Sequence, residues 1–140
     1  MKKELNLTLQ LENKLANIYF DSENNYYEER WSTATKDASD EEFKAYQLEK
    51  VEISKKLSTL YFLCDTKNFL FRINNEMKEW TDEVVMKYWD STELKKLAFI
   101  SSEKLTSRLS VLNAMNVGKH PYAIQYFNDE EAAKRWLFEV

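Results

Sequence analysis

The scarcest reactive side chains are one histidine, His120, and one cysteine, Cys64. Any Ser-His-Asp or Cys-His site has to use His120. It stands between Lys119 and Pro121 in a predicted loop with no nucleophile motif beside it, and it reads as an ordinary surface histidine. Cys64 lies inside the apolar run Thr59 to Asp65 (TLYFLCD). There it reads as a small buried hydrophobe, because a reactive thiolate needs a positive, partly open environment. One cysteine and one histidine exclude an internal disulfide, a Cys-rich zinc site and a two-histidine metal site. The acidic residues lack the spacing of a calcium loop. A single glycine rules out the Gly-rich loop that nucleotide phosphates need. Glu28 and Glu29 are adjacent on a predicted strand and face opposite ways, so they are no acid/base pair. No catalytic residue, metal or cofactor is expected.

Asp65 is the carboxylate with the most suggestive position. It ends the most apolar predicted strand, and α/β sheets place ligands at the carboxyl ends of parallel strands. With Thr66, Asn68, Arg72, Asn74 and Asn75 it can line a polar crevice. The plainer reading is that Asp65 hydrogen-bonds its own loop backbone, as Asx residues do. Four tryptophans and eight tyrosines form the other conspicuous set. Trp80 and Trp136 fall on helical core stripes. Trp31 and Trp89 are less clearly internal and are the aromatic candidates for partner or ligand binding.

The elements that position these residues follow from periodicity. Leu5, Leu7, Leu9 and Leu11 alternate with polar residues, as an N-terminal arm or an extra strand within 1–14. Leu15 to Asp21 and Tyr26 to Ser32 read as a hairpin around Ser22-Glu23-Asn24-Asn25. Ser39 and Glu42 form a capping box for a helix reaching about Leu57, whose stripe Phe43, Tyr46, Ile53 and Leu57 is interrupted by Lys50. Asp40 with Lys44 and Glu52 with Lys56 are its supporting i,i+4 pairs. The run Thr59 to Asp65 suits a central strand covered on both faces. Asn75 is the expected cap of a helix over about Glu76 to Asp90. Leu94 to Ser101 is a strand, and Ser102 opens a helix marked by Leu105, Leu109 and Leu112 and closed by Gly118. Tyr122 to Phe127 is the last strand. Asn128 with Glu131 opens a final helix that buries Ala133, Trp136, Leu137 and Val140. The order ββαβαβαβα predicts an α/β fold, with a mixed, mostly parallel five-stranded sheet, an N-terminal β-hairpin and four helices.

The chain has 140 residues and a net charge of −4, so a single domain over 1–140 is expected. No apolar run is long enough to span a bilayer, and no apolar stretch follows the first lysines as a signal peptide requires. A cytoplasmic location is the expectation. No basic block exceeds two residues, which argues against nucleic acid as a partner.

Four places resemble the SpoIIAA-like, or STAS, superfamily, and in particular its small stand-alone bacterial members. They are Tyr61-Phe62-Leu63-Cys64-Asp65, Trp80 early in the following helix, Leu97-Ala98-Phe99-Ile100, and the segment from Tyr126 to Leu137. The resemblance covers about Leu15 to Val140 and implies the STAS fold. Its best-known members are anti-sigma factor antagonists, switched by phosphorylation of a serine at the start of the helix after this strand. The corresponding stretch, Ile73-Asn74-Asn75-Glu76-Met77, holds neither serine nor glycine, so the switch does not transfer. The expected function is a non-enzymatic interaction or regulatory module. Its partner is a protein, a second copy of the chain among the candidates. The alternative is a binder or sensor of a small apolar ligand in a pocket between helix and sheet.

Overall fold

The computed structural model describes residues 4–105 and 119–139. Six strands form one mixed sheet in the order β1-β2-β3-β4-β5-β6. They are β1 (Thr8–Glu12), β2 (Ala16–Asp21), β3 (Tyr26–Trp31), β4 (Tyr61–Asp65), β5 (Lys96–Ile100) and β6 (Ala123–Phe127). The first two pairings are antiparallel and the remaining three are parallel. The expected count of five is corrected to six. The leucine alternation before residue 12 forms an edge strand, paired with β2 across a bulge between Leu9 and Leu11. Its apolar side reaches the core through Leu11.

Local chemistry explains the turns. Asp21 accepts hydrogen bonds from the amides of Glu23 and Asn24 at 2.9 and 3.1 Å. Asn25 takes the left-handed backbone (φ 52°) that asparagine tolerates better than most residues. A 3₁₀ turn over Thr33–Asp37 follows β3. Helix α1 (Asp40–Ser54) opens on the complete Ser39–Glu42 capping box. Glu42 also pairs with Lys14, and Glu52 pairs with Lys55 rather than with Lys56.

The second helical stretch is continuous but not uniform. It runs as α2 (Asn75–Thr81), a π-helical segment (Asp82–Met86) and α3 (Lys87–Asp90). Its cap is Asn74, whose side chain accepts the Met77 amide at 2.8 Å, so the expected cap at Asn75 is corrected by one residue. The last helix, α4 (Glu130–Leu137), is capped by Asp129 rather than Asn128. The helix expected after Ser102 begins over 103–105, with the Leu105 amide on the Ser102 hydroxyl. Leu109, Leu112 and Gly118 lie outside the described residues, as does Val140.

Strand alternation sorts the side chains into two cores. The larger lies under α1, α2 and α3 and contains Ile18, Tyr27, Trp31, Phe43, Tyr46, Phe62, Met77, Val85, Trp89 and Leu97. The smaller lies under α4 and contains Tyr26, Leu63, Ala98, Ile100, Ala133 and Leu137. Among the described residues, no helix is long and apolar enough to cross a membrane.

Candidate functional site

The carboxyl end of β4 lies between two charged clusters, one on each face of the sheet. On the α4 side, Arg30 donates to three carboxylates: Nε to Glu28 at 2.7 Å, one terminal nitrogen to Asp65 at 2.9 Å and the other to Glu130 at 2.7 Å. The Arg30 side chain keeps 33% of its surface exposed. Burial works against its charge, but Glu28 and Glu130 outweigh that and hold the guanidinium firmly protonated. The Tyr26 hydroxyl donates to Glu28 at 2.6 Å. Burial works against the Glu130 carboxylate, yet hydrogen bonds from Lys134 and Arg30 prevail and lower its pKa. Asp65 also accepts the Lys67 amide at 3.1 Å, so it turns the loop backbone as well as pairing with Arg30.

On the opposite face a second cluster is sealed beneath α1. Glu29 and Lys50 are 1% and 4% exposed. Lys50 Nζ donates to Glu29 Oε2 at 3.0 Å, and the Tyr46 hydroxyl reaches the same oxygen at 2.6 Å. The Cys64 thiol donates to Oε1 at 3.4 Å. Burial and the Glu29 charge both push the Cys64 thiol up and so favour its protonated form. Lys50 interrupts the apolar stripe of α1 because its partner waits on β3. The same pairing shows why Glu28 and Glu29, adjacent in sequence, act in separate places.

Beyond Asp65 the chain forms an irregular loop over residues 66–74 before Asn74 caps α2. A turn places the Phe69 amide on the Thr66 carbonyl, and Thr66 is tied to the Ile100 carbonyl through both its amide and its hydroxyl. The buried Thr35 hydroxyl accepts the Leu70 amide at 2.8 Å and donates toward the Ser32 and Asn68 carbonyls at 2.8 and 3.3 Å. Phe69 packs edge-on against Trp31, and Phe71 stacks on Phe43 with ring centroids 4.4 Å apart. These anchors send Leu70, Arg72 and Ile73 outward; Leu70 and Ile73 are 45% and 44% exposed.

The candidates named from sequence therefore separate. Asn68 and Arg72 are exposed on this loop, Asn74 is spent as a cap, and Asn75 is the exposed first residue of α2. Asp65 points into the Arg30 cluster. They share one end of the sheet without converging on one crevice. Trp31 and Trp89 are corrected to core residues at 6% and 2% exposure, each packed among several rings. Trp80, expected inside, is half-buried with Lys44 Nζ 5.6 Å from its ring centroid.

Two further features lie at the opposite end of the sheet. A cleft of about 180 Å³ is bordered by Leu57, Thr59, Tyr88, Trp89, Thr92 and Glu93. His120 Nδ1 lies 2.7 Å from Asp90, and its ring stacks on Tyr122. The Tyr122 hydroxyl feels the Asp90 charge without making a well-aligned hydrogen bond. Sequence reasoning missed Arg30, Thr35, Leu70 and Ile73. Arg30 carried a readable signal, a lone cation following two glutamates on a strand, but its distant partners did not. No protein-family model, curated protein or solved structure matches the chain.

Proposed function

We propose that this chain is a non-enzymatic, STAS-like interaction or regulatory module of the cytoplasm, acting without a phosphorylatable serine. The observation that carries the reading is the loop over residues 66–74. Its inner side is held by Phe69, Phe71 and Thr35, while Leu70, Arg72 and Ile73 stand in solvent. Exposed aliphatic side chains around an arginine, on a loop anchored from within at Phe69, Leu70 and Phe71, suit a protein contact. The loop also occupies the stretch that leads into the helix corresponding, by the resemblance, to the switch segment of the STAS domains.

The alternative, a small apolar ligand, has one observation in its favour. Trp89 borders the cleft beside Thr59, whose buried hydroxyl has no partner among the described residues. At about 180 Å³ the cleft is smaller than the roughly 300 Å³ at which ligand pockets usually begin. The double variant Leu70→Asp/Ile73→Asp separates the readings. Native mass spectrometry of protein from its own cells should show a protein partner or second copy on the parent chain and neither on the variant, with unchanged melting. A small-molecule mass retained by both proteins would replace this reading with the alternative.

A further inference from the structure

The chemistry of the loop narrows the class of partner. Residues 66–74 include two cations, Lys67 and Arg72, and no acid. Neither cation makes an ion pair or hydrogen bond through its side chain among the described residues. Arg30, Lys50 and Lys134 are engaged with carboxylates, whereas Lys36 and Lys78 are exposed and unpaired among the described residues as well, so what sets Arg72 apart is its place between Leu70 and Ile73. Between Leu70 and Ile73 the backbone makes one hydrogen bond among the described residues, from the Leu70 amide to Thr35. From Phe69 to Arg72 the side chains turn inward and outward alternately, as in an extended chain. Among the described residues the loop thus presents an unpaired guanidinium between two exposed aliphatic side chains, beside backbone groups that another chain can pair with.

We infer that this loop takes an extended protein segment in which a carboxylate stands next to aliphatic side chains. The carboxylate pairs with Arg72, whose planar fork suits two-point contact with a carboxylate. The aliphatic side chains cover Leu70 and Ile73, and the segment's backbone pairs with that of Phe71, whose amide and carbonyl face the edge opposite the Leu70 amide, in the manner of an added strand. A second copy bound symmetrically through the same loop would bring two Arg72 and two Lys67 charges into one interface with no acid from the loop to offset them, which disfavours self-pairing here. Two cations on a chain of net charge −4 are too few for a nucleic-acid backbone. The inference rests on the interaction reading above and specifies its partner.

The test is selection of a random-peptide phage library on the immobilised full chain, followed by fluorescence anisotropy with the enriched peptides. Enriched sequences should place Asp or Glu beside Leu, Ile, Val or Met. Affinity should fall by about tenfold or more in Arg72→Glu and in Leu70→Asp/Ile73→Asp. Exchanging the peptide's acid for lysine should restore binding to Arg72→Glu. Peptides without acids that still depend on Leu70 and Ile73 overturn the charge assignment and leave the interaction reading standing. Peptides indifferent to every loop variant, or no enrichment over the bare support, overturn the assigned partner. Sedimentation showing a dimer that the same variants abolish would put a second copy in the partner's place.

Discussion

Strand β3 sends Glu29 to one face of the sheet and Glu28 with Arg30 to the other, and the two faces treat their charges differently. Under α1 the charges are sealed. Glu29 and Lys50 are almost without solvent contact, and a tyrosine and a thiol complete the carboxylate's hydrogen bonds. Beside α4 Glu28 is as buried as Glu29, but Arg30, Asp65 and Glu130 are only partly enclosed. Arg30 keeps a third of its side-chain surface and shares its charge among three carboxylates. The sealed pair has no solvent to replace a missing partner, whereas solvent already reaches Arg30, Asp65 and Glu130. Glu28 and Glu29, equally buried one position apart on one strand, therefore differ in how far solvent reaches their cationic partners.

The contrast can be broken most sharply at Lys50. Lys50→Met leaves Glu29 charged and buried, and should lower unfolding free energy by about 3–5 kcal/mol in a denaturant titration. Replacing both partners, with Glu29→Leu added, should recover much of that loss. A single variant as stable as the parent would mean that water reaches Glu29 and that the two faces do not differ. Arg30→Met should cost less, about 1–3 kcal/mol, since solvent already reaches the Arg30 position, Asp65 and Glu130 can hydrate, and only Glu28, which keeps the Tyr26 hydroxyl, is left buried. A loss as large as that at Lys50 would place the Arg30 cluster in the sealed class.

The smallest effect is in acid. Glu130 has a folded pKa below its ordinary value despite partial burial, because Lys134 and Arg30 hydrogen-bond its charged form. A depressed carboxyl contributes stability above its unfolded pKa, and that contribution disappears as pH falls through the folded value. Glu130→Gln should therefore lie below the parent in thermal stability near neutrality and converge with it as the solution is acidified below the ordinary carboxylate range. Curves that stay parallel down to that range would remove the carboxylate from the cluster's account.

Much of the architecture was legible because its signals are local. The capping box at Ser39, the Ser22–Asn25 turn and the doubly covered strand before Asp65 each depend on a few adjacent residues. The edge strand was only half legible, since alternating leucines fit an arm as well as a strand until a partner is known. The site was less legible because its contacts span the chain. Arg30 meets Asp65 and Glu130 across 35 and 100 residues. Lys50 looked like an interruption in a stripe because Glu29 is contributed by another element. Trp31 and Trp89 looked ambiguous because their enclosure depends on Phe43, Phe69, Tyr27 and Phe62 from four separate segments.

The sequential strand order bears on how the chain assembles as it is made. Each strand pairs with the one synthesised just before it, so the sheet can lengthen one ladder at a time without waiting for a distant segment. The core under α1 to α3 draws mainly on residues up to Leu97, whereas the core under α4 needs Ala133 and Leu137. A chain synthesised as far as β5 would then hold much of the first core and lack the α4 residues that complete the second. Until α4 has been made, Leu63, Ala98 and Ile100 would lack the Ala133 and Leu137 that cover them, and that is the interval in which misassembly would be concentrated.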